Sequence, residues 1–233
     1  MLEFRSTEKE QLDNLKLGGE TLHQTLDGLS VINRFLGNTN ATFAAVKPVI
    51  LNSNSPLKII DLGCGGGDNI RAMAKWCSSK NISVELIGID GNKNTLDYAR
   101  SKNTNQIQIE YQQADILAPG FELPTCDVLL SSHFIYHFSD DELTQFIVKA
   151  SKKVKHKIIF SELQRSPLAY ILFSLGSFFM PFNKLVKQDG LRAIERAFNS
   201  KELKTILSNT GHKNFSIQKN WAFRLLVEVN CAN

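Results

Sequence analysis

Short runs rich in apolar residues, each closing on a polar or acidic side chain, recur along this chain at Ile59–Asp61, Val84–Asp90, Ile107–Gln112, Asp127–Ser132 and Lys157–Glu162. Runs of this length, bounded by turn residues, predict strands. Segments of helical spacing separate them. Leu22, Leu26, Leu29 and Ile32 predict a helix that Gly37 stops before a second one over Ala41–Leu51. Asn92 reads as the N-cap of a helix through Tyr98 and Arg100, and Asp140, Asp141 and Glu142 as the acidic first turn of another. Ser166 and Pro167 open a Phe-rich apolar stretch, Leu168–Phe182. A segment Lys187–Phe198 follows, then a helix from Lys201 started by Asn199 or Ser200. Ile217–Trp221 and Phe223–Val229 read as two strands around a short turn. Strands alternating with helices predict an α/β fold with a parallel sheet wound on both faces.

The chemistry concentrates at Ile59–Asn69, where an apolar strand ending in Asp61 runs into Gly63, Cys64, Gly65, Gly66 and Gly67. Glycine accepts positive φ and lets a ligand approach the backbone. A dinucleotide fingerprint would need a third glycine at position 68, which is Asp68, and a carboxylate there would repel a pyrophosphate. Asp90, closing the next strand, is placed to accept both hydroxyl hydrogens of a ribose.

Asp61 followed by Gly63-x-Gly65-x-Gly67 resembles the first motif of the class I S-adenosylmethionine (SAM)-dependent methyltransferases. The resemblance implies a Rossmann-like, doubly wound, seven-stranded and mostly parallel sheet with an antiparallel C-terminal hairpin and an N-terminal helical cap. It implies SAM as cofactor, S-adenosylhomocysteine (SAH) as product, and binding by Asp61, Gly63, Cys64, Gly65, Gly67, Asp90, Gly91, Asp115, Ile116, Ser131 and Ser132. Cys64 would be a small filler of the glycine loop. Ala114-Asp115-Ile116 resembles the segment that recognises the adenine edge, and the carbonyls at Ser131 and Ser132 would face the ammonium group. Phe4–Gly37, Arg165, Asp189-Gly190, Arg196-Ala197-Phe198 and Trp221-Ala222-Phe223-Arg224 are similar to segments of a bacterial small-molecule subgroup, itself similar to quinone and polyketide methyltransferases. The expected acceptor is a small aromatic, quinone or polyketide-like molecule methylated at oxygen or carbon. His133 and His137 are candidate bases, although that subgroup has two histidines where this chain has Tyr136-His137. Tyr136, Glu162, Arg165, Asp189 and Arg196 are candidate substrate residues. Arg5 is read as either a contact to the cofactor carboxylate or a solvated surface residue.

Length suits one methyltransferase domain over 1–233: a helical cap (1–54), a SAM-binding core (55–163), an apolar lid or substrate segment (164–212) and a hairpin (213–233). The formal net charge of +4 is mild, with its densest basic segment, Lys149–Lys157, read as a helix end and its exit. No Asn-Pro-Pro-Tyr, Asp-Pro-Pro-Tyr or Pro-Cys segment marks a nucleic-acid methylase. The four cysteines lack metal-ligand spacing, so no metal is expected, and they suit a reducing cytoplasm. No signal segment is read at the start. Leu168–Phe182 falls short of the roughly 20 apolar residues of a bilayer span. It reads as a buried helix or dimer face of a monomer or homodimer, or as a lid with peripheral membrane contact. A catalytically silent SAM-binding protein and a nicotinamide oxidoreductase remain as alternatives.

Overall fold

The computed structural model describes residues 2–103, 108–179 and 183–231. The strands are β1 (Leu57–Leu62), β2 (Val84–Asp90), β3 (Glu110–Gln113), β4 (Cys126–Ser132), β5 (Val154–Leu163), β6 (Phe215–Asn220) and β7 (Arg224–Asn230). They form one seven-stranded sheet in the order β3-β2-β1-β4-β5-β7-β6. The pairs from β3 to β5 are parallel, and β7 runs antiparallel to both β5 and β6. The order reverses between β1 and β4, where open α/β sheets leave a crevice at the strand carboxyl ends.

The helices are α1 (Gly19–Phe35), α2 (Asn38–Leu51), α3 (Asp68–Ser79), α4 (Lys93–Ser101), α5 (Asp140–Ser151), α6 (Pro167–Phe179), α7 (Lys184–Arg196) and α8 (Ser200–Asn209). Successive side chains of β1 enter opposite cores. Ile59 packs with Ile50 of α2, Ile70 and Met73 of α3 and Leu96 of α4. Ile60 and Leu62 pack with Leu143 and Ile147 of α5 and Leu203 and Ile206 of α8. The sheet is covered on both faces, which explains why its central strands are apolar throughout. α1 packs outside this sandwich, where Leu22 and Leu26 meet Tyr98 of α4.

Several element ends differ from those the sequence predicts. β5 starts at Val154, a buried residue, three positions before the expected Lys157, so Lys155 belongs to a strand and not to a helix exit. Lys155 pairs with Asp127 at 3.0 Å and Lys157 with Glu228 at 3.2 Å. α7, over which the sequence reading marked only a segment Lys187–Phe198, begins at Lys184, because the Asn183 side chain caps it by accepting from the Val186 amide. The final turn takes in Trp221–Phe223, with Phe223 at φ 52°. Ile107, the expected start of the third strand, and positions 180–182 of the apolar stretch lie outside the described residues. No helix among the described residues is long and apolar enough to cross a membrane.

Asn92 joins this frame to the N-terminal segment. Its Oδ1 caps α4 by accepting from the amides of Asn94 and Thr95, while its Nδ2 donates to the Leu17 carbonyl at 2.9 Å. Asn92→Ala loses both the cap and the tie. We expect it to lower stability to urea by about 1–2 kcal/mol, as lost N-caps do; an unchanged midpoint would contradict this.

Candidate active site

The loop after β1 is bound to the end of β2. The amides of Gly63 and Cys64 donate to the Ile89 carbonyl at 2.8 and 3.0 Å. Gly63, Gly65 and Gly67 take φ of 69°, 52° and 77°, the left-handed region that disfavours any side chain. A Cβ at Gly63 would lie 2.6 Å from the Phe134 ring, whereas one at Gly65 would meet nothing within 4 Å and open onto a cavity. Gly67 is the N-cap of α3, and a Cβ there would press on the Tyr111 hydroxyl. It is absent from the cavity wall, so the expected cofactor contact becomes a helix-capping role. Burial pushes the Cys64 thiol well above its ordinary value, which suits a filler and not a nucleophile.

Two carboxyls form the floor. Asp61, only 2% exposed, has no partner on Oδ2, and burial, then Asp90 and Asp68, raise its pKa to about 7. Asp90 accepts from the Gly65 amide on Oδ2 at 3.0 Å and from the Asn92 amide on Oδ1 at 2.9 Å. Gly91, Asp115 and Ile116 complete the rim at the ends of β2 and β3. Asp115 accepts from the Leu117 amide at 3.1 Å. Ser132 lines the cavity, but Ser131 does not. The Ser131 hydroxyl is buried and donates to the Leu62 carbonyl at 2.8 Å, tying β4 to β1. A floor with an unpartnered buried carboxylate favours a ligand carrying positive charge and disfavours a pyrophosphate. SAM, with its sulfonium and ammonium, has that chemistry.

His133 and His137 both reach the cavity, on the loop between β4 and α5, and both are held neutral. His133 Nε2 lies 2.6 Å from Arg224 Nη1, and burial and that guanidinium push its pKa well down. His137 Nδ1 lies 2.9 Å from Arg196 Nη2, and burial above all lowers its pKa to about 4. Each of these nitrogens faces an arginine N–H, so each accepts and is not free to take a proton. Tyr136, Asp189 and Arg196 line the same cavity. Arg196 donates to Glu10 at 3.0 Å and to Asp13 at 2.8 Å, Asp189 accepts from the amides of Gln11 and Leu12, and the Tyr136 hydroxyl donates to Glu10 at 3.3 Å.

Two expected substrate residues lie behind the wall. Glu162 is buried and accepts from the amides of Phe134 and Ile135 at 3.0 and 3.2 Å, so it positions the histidine loop. Arg165 is buried against Glu202, the Ala197 carbonyl and the carbonyls of Leu2 and Glu3. Arg5 is neither a cofactor contact nor a solvated residue. It pairs with Asp140, donates to the carbonyls of Tyr136, Phe138 and Arg196, and stacks on Phe198. Sequence reading missed Glu10, Asp13 and Arg224 as cavity residues, because their significance lies in partners far away in the chain. Glu10, Asp13 and His137 could together ligate a cation. The Arg196 guanidinium bonds all three and already supplies the positive charge there.

The cavity holds about 1350 Å³. That exceeds the roughly 300–1,000 Å³ of a typical ligand pocket. From the carboxylate floor it extends past Val31 and Phe35 of α1 to Leu172, Phe173 and Gly176 of α6.

The parallel sheet, the charged floor and the sequence match support a class I SAM-dependent methyltransferase. Residues 59–157 match the family described as "Methyltransferase domain". The chain is 27% identical over 188 residues to a ubiquinone biosynthesis O-methyltransferase of Mesorhizobium japonicum, covering 75% of this chain and 70% of the relative. It is 30% identical over 127 residues to the protein of that name in Alkalilimnicola ehrlichii, covering 52% and 47%. The chain thus spans about half the length of some curated relatives it matches and over two thirds of another. Among solved structures, the plantazolicin methyltransferase BpumL in complex with SAH and a substrate analogue aligns with a TM-score of 0.65 at 13% identity, over 91% of this chain and 89% of that one. Magnesium protoporphyrin IX methyltransferase from Synechocystis with bound SAH gives 0.57 at 16% identity, over 83% of each. At these identities the structural likeness shows the fold alone.

Two outcomes follow from the site. Asp90→Ala should weaken SAH binding by roughly 1–3 kcal/mol, the loss of a charge-assisted hydrogen-bond pair; calorimetry on the folded variant showing unchanged affinity would remove Asp90 from the ribose site. The second concerns pH. Glu10 is raised to about 8, by burial first, and Asp61 and Glu162 to about 7. Unfolded carboxyls titrate near 4. The folded chain therefore binds protons that the unfolded chain has released, and the stability this brings is lost as pH rises through 7 to 8. The depressed histidines act oppositely, but only below their ordinary value of about 6.5. Between about pH 6.5 and 8.5 the melting temperature should fall as pH rises, and Glu10→Gln should shrink that fall. A flat or rising profile in the unaltered protein would refute the assignment.

Proposed function

We propose that this protein transfers a methyl group from SAM to an oxygen or carbon of a small aromatic, quinone or polyketide-like acceptor. The observation that carries the reading is a single cavity that joins the Asp61–Asp90 floor to the apolar residues of α1 and α6. When bound, SAM supplies a methyl on a sulfonium whose departing thioether is neutral. The protein's part is placement: the floor holds the cationic end, and the apolar lobe holds a flat ring against it in near-attack geometry. Oxygen is the favoured atom, because the curated relatives at 27–30% identity are named O-methyltransferases.

A phenolic oxygen must also give up a proton. Both histidines have a ring nitrogen facing an arginine N–H, whereas Glu10 lines the cavity as a carboxyl group raised to about 8, whose ionised form, populated as pH rises toward 8, can take that proton. Glu10 is assigned that role, with Tyr136 and Arg196 fixing its orientation. The open cavity and its converging polar groups also favour an enzyme over a silent SAM-binding protein. Asp68 at the position of the third dinucleotide glycine argues against a nicotinamide enzyme. The reading places the reaction in the cytoplasm. It assigns the exposed apolar face of α6, with Phe178 79% and Phe179 83% exposed, to peripheral contact with a membrane from which an apolar acceptor enters.

The test is transfer of radiolabelled methyl from SAM to a panel of catechols and hydroquinones with and without alkyl tails. Methylation of a panel member, with Glu10→Gln lowering kcat at least about tenfold and removing the pH dependence near 8, is the expected result. Tight SAH binding with no transfer to any member would favour the silent protein.

A further inference from the structure

Among the described residues three arginines are buried: Arg165, Arg196 and Arg224. Arg165 faces Glu202, and Arg196 faces Glu10 and Asp13. Arg224 is only 1% exposed, and among the described residues it has no carboxylate within ion-pair distance. A buried charge without a counter-ion is unfavourable, and the cost appears as a guanidinium pKa lowered to about 10 by burial. Glu162, the one carboxyl whose field opposes that shift, has an unpartnered oxygen of its own.

The guanidinium is fixed along one side. Nε donates to the Leu36 carbonyl at 3.4 Å, and Nη1 to Asn38 Oδ1 at 3.0 Å and His133 Nε2 at 2.6 Å. Asn38 is itself held, accepting from Ser161 at 2.7 Å and donating to Ser132 at 2.7 Å. Nη2 is buried with no partner, on a residue of the cavity wall beside His133. One edge of the fork is thus spent on orientation and the other retains its hydrogens.

We propose that the free edge of the Arg224 guanidinium is an anion subsite of the cavity that holds a carboxylate. One unpaired cation matches one monoanion. A doubly charged phosphate would meet Asp61 and Asp90 on neighbouring strand ends of the same cavity. Two carboxylates have access: the methionine tail of the cofactor and an acid group on the acceptor. The first source rests on the SAM reading of the site; the second does not.

The experiment compares the unaltered protein with Arg224→Gln and Arg224→Lys, each checked for cooperative melting. SAH and methylthioadenosine, which lacks the amino-acid tail, are titrated into each. Benzoate and its neutral analogue benzamide are titrated into each with and without SAH. If Arg224 holds the cofactor tail, Arg224→Gln weakens SAH about tenfold or more, leaves methylthioadenosine unchanged, and Arg224→Lys recovers part of the loss. If it holds an acceptor acid, SAH is unaffected, and a preference for benzoate over benzamide disappears in Arg224→Gln. Either pattern supports the subsite and names its source. Folded variants that keep the wild-type discrimination in both pairs would overturn it, leaving Arg224 as a structural tie between Leu36, Asn38 and His133. Failure of the unaltered protein to bind SAH or methylthioadenosine would refute the SAM reading alone, and the benzoate pair would still decide the subsite.

Discussion

Asp90 accepts the Gly65 amide with one oxygen and the Asn92 amide with the other, and most of the site follows from that double bond. It locks the glycine loop after β1 to the turn after β2. With both turns fixed, α3 and α4 start at set positions and the carbonyl of Leu17 finds Asn92. The same two bonds stabilise the ionised form of a buried acid, opposing the desolvation that raises its pKa. Asp61, beside it, has no such help on Oδ2. Its remaining capacity is available to a ligand cation, which makes the floor selective by charge before any shape is considered.

The second theme is the use of arginine as an internal cross-link. Arg5, Arg165 and Arg196 each reach carbonyls or carboxylates more than 100 positions away and bind the N-terminal segment to the histidine loop, to α7 and to α8. Planar guanidinium groups suit this task because each satisfies several acceptors from one rigid fork. The consequence for the chemistry is indirect but definite: His137 is neutral because Arg196 already donates to it and burial disfavours a second charge.

Much of the cofactor half was legible in the sequence, because its signals are local. Glycines at alternate positions, an acid closing each of the first two apolar runs and another shortly after the third are sufficient to identify Gly63, Gly65, Asp61, Asp90 and Asp115 as loop and strand-end residues facing the crevice. The errors share two physical causes. Along a strand end, neighbouring residues face opposite ways, so Ser132 meets the cavity while Ser131 is spent on the Leu62 carbonyl. Long-range pairing is the other cause. Nothing near Arg165 announces Glu202, nothing near Glu162 announces the amides of Phe134 and Ile135, and nothing near Glu10 announces Arg196. Buried charges acquire their role from tertiary neighbours, which periodicity does not encode.

The N-terminal segment deserves a kinetic reading. Lys9, Glu10, Leu12, Asp13 and Leu15 form one wall of the cavity, and that wall is a length of chain with a single 3-10 turn at Gln11–Asp13, held by side-chain ties to Asp189, Asn92 and Arg196. It contributes no strand to the sheet and little to either core. Opening such a wall would cost the contacts it breaks, the Arg196 pairs with Glu10 and Asp13 included, and would leave the sheet intact. Were a spent cofactor to leave by that route, its residence time would be set by these few ties and not by the stability of the sheet.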